Sequence, residues 1–361
     1  MSAHYSSEEH GGFNAEELDR LGIPEDRILD FSVNSNPFGP SPGVLKTIQR
    51  VDISKYPDRQ NHRLKTALAE ANETTPDHLM IGNGTSELIW LVVKAFCRPG
   101  DQVISLGPTF GEYKRAADAH GIRTDEVRAE PPNFEFPAAK LIDRIKNEHP
   151  RLVFVCNPNN PTGIYLQAGQ VVDIKAACGG QTILVLDEAY RAFMDGVFFS
   201  RPLMENSITL RSMTKDFALA GLRLGYAAGD PDLIKKLTSY QPAWSVNAFA
   251  QAAGLAVMGE LDYYKDTITA LKEVRNRFFR QLMPADSLLW RSDVHFGLIP
   301  LGQPGAEVRG LLLKHFIQVR DCASFGLPCY IRISTQKEET NRVFLDLFNR
   351  LREEGEIKIR L

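Results

Sequence analysis

The chain has 361 residues, of which 43% are hydrophobic and 24% charged, with a formal net charge of -3. That length buries a sizeable core, in two domains or in one large domain with a smaller appendage. The charge balance excludes a basic nucleic-acid binder and a polybasic membrane-surface protein, so neither partner is expected.

Met1 to His10 is polar and acidic, without the apolar run of a secretory leader,. No stretch of about 18 apolar residues is present to span a bilayer. Five cysteines, an odd number without CxxC or Cys/His spacing, predict neither a disulfide framework nor a metal site,. A cytoplasmic protein with reduced thiols is expected.

The segment before about residue 45 contains Asn36-Pro37-Phe38-Gly39-Pro40 and is too broken for regular structure,. It is expected to pack on a smaller C-terminal domain. From about residue 61 helical and extended patterns alternate: His62–Glu73 helical, Leu79–Ile81 extended, Ser86–Phe96 helical, Gln102–Ser105 extended, Gly111–Ala119 helical,. This rhythm predicts an α/β sheet covered by helices.

The apolar runs Leu152–Cys156 and Ile183–Leu186 lack polar alternation, as central strands buried on both faces do,. The carboxyl ends of such strands open on the ligand crevice, which places Asn157 and Asp187 where ligands bind. After about residue 244 the pattern changes to long helices, Val246–Met258 and Asp262–Leu282, then strands near Phe296–Pro300, Ile317–Arg320 and Tyr330–Ile333. The expected division is a large domain over 45–244 and a small one built from 1–44 and 245–361.

Ser212-Met213-Thr214-Lys215, followed by Arg223-Leu224-Gly225-Tyr226, places a hydroxyl, an amine and a guanidinium on one glycine-containing loop. Alone, that reads first as a solvated basic loop. A pyridoxal 5'-phosphate (PLP) enzyme needs a lysine for a Schiff base, a carboxylate for the pyridine nitrogen, donors for the phenolic oxygen and a cup for the phosphate. Lys215 and Asp187 meet the first two needs. Tyr190 and the Asn157 amide supply donors. Gly82-Asn83-Gly84-Thr85-Ser86, between a strand and an apolar helix, offers backbone N–H groups to a phosphate, with Ser212 and Arg223 completing the cup,.

In this order and spacing, Gly82-Asn-Gly84, Phe110, Asn157-Pro-Asn-Asn-Pro-Thr-Gly163, Asp187-Glu-Ala-Tyr190, Ser212-x-x-Lys215 and Arg223-x-Gly-Tyr226 resemble the fold-type I PLP enzymes. The resemblance covers nearly the whole chain and lies in the branch of histidinol-phosphate aminotransferase and L-threonine-O-3-phosphate decarboxylase. It implies an aspartate-aminotransferase-like fold: a large domain with a mostly parallel central sheet plus a smaller α+β domain. It implies the Schiff base on Lys215, Asp187 on the pyridine nitrogen, and Asn157 and Tyr190 on the phenolic oxygen. Phe110 would stack on the ring, while Gly84, Thr85, Ser86, Ser212 and Arg223 hold the phosphate. Tyr56 would reach across from the second subunit of a homodimer with shared sites.

Arg320 and Arg332 are natural anion anchors, because a guanidinium fork matches carboxylate or phosphate. In the family the arginine of a segment like Tyr330-Ile-Arg332 meets the substrate carboxylate, and Arg320 would then hold a distal anion with His10, Gly11, Ser35 and Asn36. His10-Gly11-Gly12, Phe110–Arg115, Trp244–Ala248 and Arg320–Ala323 look more like the decarboxylase than the aminotransferase. The expectation is therefore decarboxylation of an O-phosphorylated amino acid such as L-threonine O-3-phosphate, the alternative being a transaminase for histidinol phosphate or an aromatic amino acid. A regulator using this fold as a ligand sensor needs a DNA-binding domain ahead of it, and roughly 45 residues leave no room for one.

Overall fold

The computed structural model describes residues 11–201, 205–282 and 292–360. Its strands are β1 (Leu29–Asp30), β2 (Leu79–Gly82), β3 (Gln102–Gly107), β4 (Arg123–Arg128), β5 (Leu152–Cys156), β6 (Ile183–Asp187), β7 (Ser207–Ser212), β8 (Gly225–Gly229), β9 (Phe296–Pro300), β10 (Ile317–Gln318), β11 (Arg320–Asp321) and β12 (Tyr330–Ser334). Seven form one sheet in the order β2-β8-β7-β6-β5-β3-β4. From β7 to β4 every pair is parallel, and β8 runs antiparallel to both β7 and β2.

β5 and β6 are buried at every position, which accounts for their unbroken apolar sequences. Alternation along them sorts side chains to two faces. Leu152, Phe154, Ile183 and Val185 pack with Leu88, Val92, Tyr113 and Ala116 of the helices Gly84–Phe96 and Glu112–Ala119. Val153, Val155, Leu184 and Leu186 pack with Leu141, Ile145, Val171 and Ile174 of the helices on the opposite face.

The smaller sheet, β11-β12-β9, is antiparallel, and β1 pairs with β10 alone. The expected strand Ile317–Arg320 divides at Val319 because its halves have different partners, β1 for β10 and β12 for β11. Phe31, Phe278, Ile331, Ile333, Phe344 and Phe348 form the core beneath. Val246, just ahead of helix Ala248–Met258, and Ala250, Ala253 and Val257 on it share one cluster with Val44, Leu64 and Leu68, joining the segment after residue 244 to the one before it.

Two expectations need correction. The N-terminal segment is not wholly irregular, because Ala15–Leu21 forms a helix ahead of the proline-rich stretch. Asn14 caps it by accepting from Glu16 and Glu17 N–H, and Gly22 ends it in the left-handed region at φ 66°,. The supposed basic loop is shorter than the motif, with Ser212 ending β7 and Gly225-Tyr226 beginning β8, all buried. Among the described residues no helix is long and apolar enough to cross a membrane.

Candidate active site

A cleft of about 420 Å³ opens at the carboxyl edge of the large sheet, where Ser86, Phe110, Tyr190, Lys215 and Arg223 meet Gly11, Arg320 and Arg332. Lys215 follows the end of β7 by three residues. Its carbonyl accepts from Asn36 N–H and Ala218 N–H, which ties the turn to the N-terminal segment. Withdrawal from water, with the Arg332 and Arg223 guanidiniums nearby, lowers the amine to about 8, and Asp187 opposes that shift,. Such an amine is partly neutral near physiological pH and available as a nucleophile.

Asp187 ends β6 on the face shared with Ile183 and Val185, and that face brings it to Tyr113 on the covering helix. Tyr113 donates to Asp187 Oδ2 at 2.7 Å and Ala189 N–H donates to Oδ1 at 3.0 Å. Burial still pushes the carboxyl up to about 6, outweighing both hydrogen bonds. Tyr113 is itself fixed by stacking on Phe154, centroids 4.6 Å apart. Tyr113 belongs to no site motif assigned above, and its only signal in the sequence is its position three residues beyond Phe110.

Asn157 follows β5, and its side chain clamps Leu166, accepting from Leu166 N–H at 2.7 Å and donating to the Leu166 carbonyl at 3.1 Å. An amide nitrogen carries two hydrogens, so one remains for a ligand. Tyr190 is buried with its ring edge-on to Phe296 at 4.8 Å, and burial drives its phenol well above the ordinary range. It therefore stays a donor.

The segment expected to cup a phosphate is built by close backbone approach. Gly84 has φ 77°, and a Cβ there would lie 2.9 Å from Arg223 Nη2. Arg223 adopts φ 58° and donates through Nη1 to the Ala220 carbonyl at 3.0 Å. Thr85 is packed as closely, since a Cβ on Gly225 would sit 3.0 Å from its nitrogen. The Ser212 hydroxyl lies 2.7 Å from that of Thr214, a second hydroxyl the sequence reading did not assign.

Arg320 and Arg332 are both buried and are direct partners across the β11–β12 pair. Arg332 donates to the Ser32 carbonyl at 2.5 Å and to Asn160 Oδ1, while its Nε has no partner among the described residues. Asn160, within the Asn157–Gly163 motif but given no role of its own, therefore orients this guanidinium. Arg320 donates to Ser324 Oγ at 2.5 Å and lies over Phe325, 5.3 Å from the ring centroid. Burial, with the Arg332 charge beside it, lowers Arg320 to about 10.

Two expected substrate residues stand apart from the cleft lining, and a third, His10, lies outside the described residues. Ser35 does not line the cleft. Asn36 is consumed by the fold, donating to the Asp216 carbonyl and Thr267 Oγ1 and accepting from Phe38 N–H. Tyr56 is 81% exposed and packs on Trp244, centroids 4.9 Å apart, away from its own cleft.

An amine, a buried carboxylate, a spare amide hydrogen and a cationic helix N-terminus together match what PLP requires. The family model for aminotransferase class I and II matches residues 26–348. A histidinol-phosphate aminotransferase of Symbiobacterium thermophilum is 31% identical over 344 residues, covering 93% of each chain. The crystal structure of histidinol-phosphate aminotransferase from Sinorhizobium meliloti, in complex with PLP, superposes with TM-score 0.82 at 27% identity, covering 96% of both chains. L-threonine-O-3-phosphate decarboxylase from Porphyromonas gingivalis has TM-score 0.77 at 23% identity, covering 90% of this chain and 99% of that one, a likeness of fold.

Proposed function

The chain belongs to the class I and II aminotransferase family, a group of PLP enzymes of fold type I, and from that premise we propose that it transfers the amino group of a phosphorylated amine or amino acid to a keto acid. Histidinol phosphate with 2-oxoglutarate is the pair to test first. The observation that carries the reading is the Arg320–Arg332 pair beside Lys215. Like charges directly across a strand pair repel, so the arrangement favours a ligand with concentrated negative charge. A phosphate ester supplies it from one side of a transamination, and a dicarboxylate from the other.

PLP, when bound, supplies an electron sink for charge developed at the substrate α carbon. In the proposed roles Asp187 holds positive charge at the ring nitrogen, and Asn157 and Tyr190 donate to the phenolic oxygen. Phe110 covers the ring face. Gly84, Thr85, Ser86, Ser212 and Arg223 bind the phosphate. Lys215 Nζ would hold the cofactor in the resting protein and, as a free amine, would carry the proton to and from the α carbon. Tyr56 completes the site of a second copy, which makes the working unit a homodimer.

A second reading, decarboxylation of L-threonine O-3-phosphate, is favoured by Gly11, which belongs to the His-Gly-Gly segment and lines the cleft. That substrate brings carboxylate and phosphate on one molecule to the two arginines. The sequence motifs put this reaction first, whereas the curated relatives favour amino transfer. PLP-loaded protein should form glutamate from histidinol phosphate and 2-oxoglutarate. Carbon dioxide release from L-threonine O-3-phosphate without keto acid, and no glutamate in the first assay, would reverse the order.

A further inference from the structure

Residues 11–14 and the first turn of helix Ala15–Leu21 form a strap whose leading residue, Gly11, lines the cleft, and three ties hold it down. Gly12 N–H donates to Ser32 Oγ at 2.6 Å, and Gln318 Nε2 donates to the Gly12 carbonyl at 3.1 Å. The third tie is two-pronged, with Arg309 Nη1 and Nη2 donating to Glu17 Oε1 and Oε2 at 2.8 and 2.5 Å. Arg309 belongs to helix Gly305–Lys314, which packs on β10, β11 and β12 and so moves with Arg320 and Arg332.

The ties press Gly11 onto the anion anchors. A Cβ at Gly11 would fall 2.3 Å from the Ser32 carbonyl oxygen and 3.4 Å from Arg332 Nη2. That same carbonyl accepts from Arg332 Nη2. Strap, carbonyl and guanidinium thus form one stack. Beneath the strap lies a second cavity of about 390 Å³, bounded by Arg309 and Gln318 and sharing Gly11 and Arg320 with the cleft. Leu18 is buried one residue beyond Glu17, whereas residues 11–15 border the cavity and are held by the polar ties.

We propose that Glu17 and Arg309 are a positioning pair that sets substrate affinity by holding Gly11 against Arg332, without touching cofactor or substrate. The proposal rests on the reading of Arg320 and Arg332 as anion anchors. The pair is partly buried, with side chains 17% and 20% exposed, and a bidentate geometry is the most effective for such a pair,.

The test uses the full PLP-loaded chain with inorganic phosphate as probe, read by calorimetry. Arg309→Gln and Glu17→Gln should each weaken phosphate binding about five-fold, with the visible absorbance of the bound cofactor unchanged. The exchange Glu17→Arg with Arg309→Glu should return affinity to within about two-fold of the original. Gly11→Ala should weaken binding by pushing the strap from Ser32. Unchanged affinity in either single variant, or no recovery in the exchange, overturns the pairing. Arg320→Gln separates the premise from the proposal: phosphate binding that survives it, or no phosphate binding by the unaltered protein, removes the anchor reading itself.

Discussion

Tyr113 donates a 2.7 Å hydrogen bond to Asp187 Oδ2 from a ring stacked on Phe154, so the carboxylate is oriented by a side chain from another element. Tyr113→Phe keeps the stack and removes the bond. A hydrogen bond to a charged group contributes about 1.5–3 kcal/mol, so turnover should fall about ten-fold while the Michaelis constant for the amino substrate stays constant. Steady-state kinetics check this, and an unchanged turnover number would release Tyr113 from its positioning role.

Asp187 also predicts a pH dependence of the cofactor-free protein. Its carboxyl is raised from 3.8 to about 6 by burial. Between those values the folded state binds more protons than the unfolded one, so this contribution is full below about pH 4 and is lost as pH rises through 6. The loss is on the order of 2–3 kcal/mol. Asp187→Asn should abolish turnover yet melt higher than the unaltered apoprotein at pH 7, with the gap closing toward pH 4. Equal melting temperatures at pH 7 would refute the burial argument.

Lys215 makes the most direct prediction. With its amine lowered to about 8, PLP uptake by the apoprotein should accelerate with pH through a midpoint near 8, followed by stopped-flow absorbance. Lys215→Ala should abolish both turnover and borohydride-fixed cofactor. A fixed adduct in that variant would locate the covalent link on another lysine.

Gly84 cannot accept a side chain without moving Arg223, because the Cβ would lie 2.9 Å from Nη2 and φ is 77°. Gly84→Ala should therefore weaken PLP affinity at least about ten-fold by displacing the guanidinium proposed to bind the phosphate, while leaving the helix it begins intact. Fluorescence titration of the apoprotein measures the first and circular dichroism the second.

The central strands were legible because apolar runs buried on both faces have few other readings, and their ends pointed to Asp187 and Asn157. Lys215, Tyr190, Phe110, Arg223, Arg320 and Arg332 do converge on one cleft. Tyr113 and Asn160 were not legible, since their partners Asp187 and Arg332 come near only through sheet alternation and the packing of the two sheets. Asn36 misled for a related reason: its amide is spent on Asp216 and Thr267, and Thr267 is distant in sequence. Helix Ala15–Leu21 carries its own cap signals at Asn14 and Gly22, which the nearby prolines overshadowed.

The strand end that carries Asp187 carries a second carboxylate with a different fate. Glu188 turns to the opposite face, where Arg211 meets it at 2.7 Å with both side chains 7% exposed, and Arg211 also bonds Asn72 and Ser200. Removing one partner of such a buried pair costs about 3–5 kcal/mol. Adjacent acids should therefore separate in a deep mutational scan scored twice: substitutions at Asp187 keep cellular abundance and lose growth that depends on the enzyme, whereas substitutions at Glu188 lose abundance first. One residue of register divides what selection on catalysis preserves from what selection on folding preserves.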